Sequence, residues 1–140
     1  TRLPDNALGE TCLSELRSHN IGTQNVLIGG KRLGTYYMEK AAAMRNSKVI
    51  YDREGSAFSE LKPGMIDWKE VFKDADIFHW SGIDAALTPG LADVCHEAIA
   101  VAKEMGLQDS YDINYRKNLL RWLRYGSTSS AVSRKRYHVW

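Results

Sequence analysis

The fold is decided between Asp76 and Asn114, where the chain reads DIFHWSGIDAALTPGLADVCHEAIAVAKEMGLQDSYDIN. The opening six residues, Asp76 to Ser81, form a short apolar run of the kind that makes a buried strand. Thr88-Pro89 is a helix start, with threonine as cap and proline at the first helical position. Leu91, Val94, Cys95, Ala98, Ile99, Ala102 and Met105 then recur at helical spacing, and Gly106 is placed to end that helix in a left-handed conformation. Ser110 to Asn114 reads as a second strand. A strand, an 18-residue helix and another strand make a βαβ crossover, which requires a parallel sheet. Within it, His79 reads as a core histidine and His96 as lying on the solvent side of its helix.

Working outward, the N-terminal segment predicts a helix from Ala7 to His19 with Asn6 as its cap. Leu8, Cys12, Leu13 and Leu16 share one face of it, and Asn20 and Gly22 end it. Val26-Leu27-Ile28, Gly34 to Glu39 and Lys48 to Arg53 read as short strands, with an exposed connection between the last two. No helix interleaves them, so they are expected to pair antiparallel. After Pro63, Asp67 to Lys73 predicts a helical turn or two. The residues thus imply an α/β core carrying a small antiparallel insert.

Composition divides the chain in two. The 140 residues carry 19 Lys and Arg against 17 Asp and Glu, a net charge of +2. Residues 1–115 hold 12 basic and 17 acidic residues, whereas residues 116–140 hold seven basic residues and no acid. At 44% hydrophobic and 26% charged, the chain is neither disordered nor collagen-like. No apolar run approaches the roughly 18 residues of a membrane span, so no membrane partner is expected. The start, TRLPDNALGE, lacks both an initiator Met and a signal-peptide layout, so processing or an internal origin is expected. Cys12 and Cys95 lie on apolar stripes without CxxC spacing, which predicts two buried thiols, no metal site and a cytoplasmic address.

Two clusters could carry chemistry. Asp112, Asn114 and Arg116 alternate in DINYR at a strand end, and a period of two would put them on one face. Ligands of open parallel sheets bind beyond the carboxyl ends of the strands. Such a trio could hold an anion, a metal-phosphate or sugar hydroxyls; equally, Asp112 and Arg116 could simply pair. The second cluster is Tyr36, Tyr51 and Arg53, on neighbouring strands of the insert. An arginine beside aromatic rings can clamp a carboxylate with two hydrogen bonds, or it can be a solvated side chain at a sheet edge. The scattered histidines show no ligand spacing, and Gly29-Gly30 is a turn rather than a phosphate loop.

Taken together, LPDNALGE, RLGTYYMEK, SKVIYDREGSAFSE, FHWSGIDAAL and DINYRKNL resemble the 2-keto-3-deoxygluconate kinases, in the same order. These belong to the ribokinase-like (PfkB-type) carbohydrate kinases, and the similarity covers about residues 3–120. The resemblance implies a partial ribokinase-like three-layer sandwich with a small antiparallel β lid. Its divisions would be residues 1–24 (core helix and entry to the lid), 25–62 (lid), 63–116 (partial α/β core) and 117–140 (basic tail). It further implies that Tyr36, Tyr51 and Arg53 contact the sugar acid, with Arg53 on its carboxylate. Arg116 would reach both substrate and transferred phosphate, Asn114 the nucleotide phosphates, and Asp112 would support them. The implied reaction is magnesium- and ATP-dependent phosphorylation of the acid's terminal hydroxyl.

Departures from the family pattern set further expectations. The family's Gly-rich substrate motif and its GAGD segment, which holds the catalytic base, occur nowhere in the 140 residues. No catalytic residue is therefore assigned, weak nucleotide binding is expected, and these residues alone are expected to be inactive. After NYRKNL the family pattern gives way to LRWLRYGSTSSAVSRKRYHVW, which reads as a frameshifted terminus, with a native basic tail as the competing idea. A fructokinase-like kinase is the alternative within the enzyme class. The alternative outside it is a non-catalytic protein whose tail, with Trp122, Tyr125, Tyr137 and Trp140, contacts nucleic acid. Specific nucleic-acid binding is not expected, and a homodimer through the β lid, residues 34–53, is.

Overall fold

The first helix begins where the sequence sets its cap. Asn6 accepts hydrogen bonds on its side chain from the backbone N–H groups of Leu8 (3.0 Å) and Gly9 (3.2 Å), opening α1 (Ala7–Ser18). Two donors that no helix carbonyl can reach are thereby satisfied. Gly9 is required by close packing: a Cβ there would lie 2.0 Å from the carbonyl oxygen of Pro4. The buried face of α1 runs through Gly9 and Leu13, whereas Leu8 is 58% exposed and does not join the stripe expected of it.

The computed structural model describes residues 1–41 and 46–114, which fall into two units divided after Leu61. In the first, β1 (Arg2–Leu3) pairs with β2 (Leu27–Ile28), aligning Arg2 with Leu27 and Leu3 with Ile28. This pairing is parallel, which corrects the expectation that the early strands would all be antiparallel. The reason is topological: α1 lies between β1 and β2, so the chain returns by a crossover rather than a hairpin. The expected antiparallel pair is β3 (Thr35–Glu39) with β4 (Lys48–Asp52), in the register Thr35 to Asp52 through Glu39 to Lys48. Leu3, Leu13, Ala57 and Leu61 are buried in this unit.

The second unit follows the strand–helix–strand plan. It comprises α2 (Trp68–Phe72), β5 (Ile77–Ser81), α3 (Gly82–Leu87), α4 (Pro89–Glu104) and β6 (Gln108–Asp112). Strands β5 and β6 pair in parallel, Ile77 opposite Gln108 and Ser81 opposite Asp112. Thr88 Oγ1 accepts from the Leu91 N–H at 3.2 Å and caps α4. Leu91, Val94, Ala98, Ile99 and Ala102 form the buried stripe of that helix. Phe72, Ala98 and Ala102 are the centre of a core cluster on which Trp68 and Phe78 pack. Trp68 is fixed further by its indole N–H, which donates to Glu97 Oε2 at 3.2 Å. Glu97 also receives the Gly64 N–H, tying the turn before α2 onto α4. Among the described residues, no helix is long and apolar enough to cross a membrane.

Three further local readings are corrected. Helix α3 was not expected; it forms because Ser81 and Asp84 make a reciprocal capping box at its start. His79 is exposed rather than part of the core, because it faces the side of the β5–β6 ladder opposite Phe78 and Trp80, and its Nδ1 lies 2.9 Å from Ser110 Oγ. Strand β6 spans Gln108–Asp112 rather than Ser110 to Asn114.

Cys12 and Cys95 are both free and half-buried. Burial first, and then the carboxylate of Asp84, push the Cys95 thiol up from its ordinary 9.0 to about 12. At pH 8 its thiolate fraction would be about 1 in 10,000, and the thiolate is the nucleophile. Iodoacetamide at pH 8 should therefore leave Cys95 unmodified in the folded chain and alkylate it in urea, as read by mass spectrometry. The folded state binds this proton more tightly than the unfolded state does. The stability so contributed is complete below pH 9 and lost as pH rises from 9 toward about 12.

Candidate functional site

The structure places the candidate residues in two clusters, one in each unit. In the first unit, the alternation of β3 and β4 sets Tyr36 and Tyr51 directly opposite one another on the same hairpin face. Their ring centroids are 6.3 Å apart, and both side chains are more than half exposed. Arg53 follows the last residue of β4, and its guanidinium carbon lies 4.4 Å from the Tyr51 ring centroid. The three residues singled out on the hairpin are thus brought together. Among the described residues no carboxylate lies within ion-pair distance of Arg53, so its planar fork is available. A cation seated on an aromatic face, beside a second ring, suits an anionic ligand that also offers hydroxyls or a flat apolar edge.

Arg53 is presented by a fixed turn. Its carbonyl accepts from the Ser56 N–H at 3.2 Å, and Gly55 supplies the left-handed conformation (φ 64°) that the turn needs. Ser56 and Ala57 are buried at 3% and 1% exposure. Gly30, also left-handed at φ 86°, lets the preceding loop close on this turn: a Cβ there would lie 2.8 Å from both Cα and Cβ of Ala57. Gly29-Gly30 is therefore more than a turn signal, because the second glycine is the socket for the alanine of YDREGSA. The residue-type pattern carried no sign of that contact.

The second cluster lies at the carboxyl ends of β5 and β6. Asn114 donates from Nδ2 to Ser81 Oγ at 3.2 Å and from its backbone N–H to Asp112 Oδ1 at 2.9 Å. Asp112 and Asn114 are adjacent as expected, but not through strand alternation. The strand ends at Asp112, and Asn114 takes a left-handed conformation (φ 38°), so an aspartate-bounded turn joins them. Ser81, which caps α3, was not foreseen as a member. Arg116 and residues 117–140, with their aromatic and basic side chains, lie outside the described residues. Among the described residues, no group of three or more His, Cys, Asp or Glu side chains is arranged to hold a metal ion. The cluster thus gathers a hydroxyl, an amide and a carboxylate at the carboxyl ends of two parallel strands.

The sequence profile of the pfkB family carbohydrate kinases matches residues 1–134. The chain is 34% identical over 119 residues to a 2-dehydro-3-deoxygalactonokinase of Haloferax volcanii, covering 85% of this chain and 37% of that protein. It is 28% identical over 120 residues to a 2-dehydro-3-deoxygluconokinase of Thermoproteus tenax, covering 84% and 35%. Among solved structures, a 2-dehydro-3-deoxygluconokinase of Thermotoga maritima superposes with a TM-score of 0.81 at 41% identity, covering 85% of this chain and 36% of that one. The chain thus spans about a third of the length of the relatives it matches.

Proposed function

The chain belongs to the pfkB family of carbohydrate kinases, and on that premise we propose that its hairpin binds the carboxylate of a 2-keto-3-deoxy sugar acid. In this reading the whole protein phosphorylates the acid's terminal hydroxyl. The described elements are part of a ribokinase-like α/β fold, and the hairpin corresponds to the family's lid. The observation that carries the reading is Arg53, seated 4.4 Å from the Tyr51 ring on the face shared with Tyr36. Two charged hydrogen bonds from one guanidinium to one carboxylate define orientation as well as charge. A neutral sugar offers nothing for that fork, which counts against a fructokinase-like substrate.

Asn114, supported by Asp112 and Ser81, would meet the phosphates, and Arg116 would contact both substrate and transferred group. Magnesium-bound ATP supplies the phosphoryl group. Residues 1–140 alone are proposed to transfer none of it, because the family's GAGD segment is not among them. Losing an anion hole alone typically slows such reactions about 10²–10³-fold. A homodimer is also proposed, through the other hairpin face, where Tyr37 and Ile50 are exposed.

Calorimetric titration tests the substrate class. The chain should release binding heat with 2-keto-3-deoxygluconate and none with fructose at the same concentration. Equal heats would favour the fructokinase-like reading, and heat from fructose alone would sink the sugar-acid one.

A further inference from the structure

Arg32 turns both terminal nitrogens of its guanidinium to the chain that carries Arg53. Nη1 donates to the Glu54 carbonyl at 2.6 Å, and Nη2 donates to the Asp52 carbonyl at 3.2 Å and pairs with the Asp52 carboxylate. These two carbonyls flank Arg53 on either side. The carbonyl between them, that of Arg53, is held by the Ser56 N–H. Three successive peptide planes therefore each have a fixed partner. Because the peptide unit is rigid, fixing the planes before and after a residue fixes its φ and ψ, and with them the direction of its Cα–Cβ bond. Arg32 is itself anchored, since its carbonyl accepts from the buried Ala57 N–H at 2.8 Å.

We propose that Arg32 is a positioning residue that aims the Arg53 guanidinium at the substrate carboxylate while holding the Tyr51 ring contact. The proposal rests on the reading of Arg53 as the carboxylate-binding group. It assigns the two arginines of this lid different tasks. Arg32 reaches backbone oxygens on both sides of its neighbour, and only a two-pronged donor can span them; lysine, a single point of charge, cannot. Arg53 keeps its fork for the ligand. A misplacement of about 1 Å at a binding group can cost up to about 100-fold in a reaction that depends on geometry, so the effect of Arg32 on recognition should be large for a residue that never meets the substrate.

The test is a double-mutant cycle on the chain, with 2-keto-3-deoxygluconate as the probe. Arg32→Lys should lower the urea midpoint modestly and weaken sugar-acid binding about tenfold. In an Arg53→Ala background the same change should have no further effect. Additive losses would overturn the proposal, since they would mean that Arg32 meets the acid itself. A second measurement needs no ligand: the Arg53 side-chain protons, shifted upfield by the Tyr51 ring, should return toward unshifted positions in Arg32→Lys. Retention of that shift would also overturn it. If the parent chain binds no sugar acid, the reading of the site fails, while the ring-shift measurement still decides the positioning role.

Discussion

Arg53→Ala is expected to weaken binding of a 2-keto-3-deoxy sugar acid by about 10–150-fold, the equivalent of about 1.5–3 kcal/mol for a charged hydrogen bond. The loss should fall on affinity and hardly at all on stability. The guanidinium contributes one aromatic contact to the fold, that with Tyr51, and such contacts are worth about 0.5–1 kcal/mol at exposed positions. Arg53→Lys should fall between the parent and the alanine variant, because it keeps the charge and loses the fork. Calorimetry with the acid and with its neutral, carboxylate-free counterpart separates the cases. A variant that binds both ligands less well by the same factor would mean that Arg53 shapes the site without meeting the carboxylate.

Phe72→Ala is expected to cost about 3–5 kcal/mol, the usual range for deleting a buried aromatic ring. Phe72 is 4% exposed, with its ring centroid 5.3 Å from that of Trp68 and 5.0 Å from that of Phe78. Helix α2 has only five residues, too few to hold itself together by its own hydrogen bonds. Its place on α4 therefore depends on this ladder of rings and on the Trp68 bond to Glu97. Urea unfolding followed by tryptophan fluorescence should show a lower midpoint with an unchanged slope. Phe72→Leu, which fills most of the volume, should cost roughly half as much. A loss below about 1 kcal/mol for the alanine variant would show that α2 is held by something other than its rings.

How much of this was legible depends on what kind of information each element carries. Helices α1 and α4 were readable because cap residues and apolar spacing act locally: Asn6 and Thr88 accept the bonds their positions predict. The β3–β4 pair was readable from strand-forming residues separated by a short polar connection. Strand β1 was not, since two residues have no period, and its parallel partner is chosen by the helix between them. The end of β6 was misplaced because IN continues the alternation that the backbone abandons at Asp112. In the hairpin cluster, the convergence of Tyr36, Tyr51 and Arg53 was visible because all three lie on neighbouring strands. Arg32 was not visible, because its acceptors are main-chain carbonyls, and every residue has one. Ser81 was hidden for a similar reason, its partner Asn114 being 33 positions away.

The adjacent tyrosines of β3 also change what holds the hairpin in frame. Tyr36 and Tyr37 lie on opposite faces, so sliding β3 by one residue would still present a tyrosine on each side. The aromatic content of that strand is therefore nearly blind to such a slip. Discrimination falls to the base of the hairpin, where Arg32 grips the chain on both sides of Arg53 and Gly30 seats Ala57. A one-residue insertion between Arg32 and Thr35 would keep every ring and charge and yet exchange the faces on which Tyr36 and Tyr37 lie. In this hairpin, the short stretch from Arg32 to Thr35 decides which side each tyrosine takes.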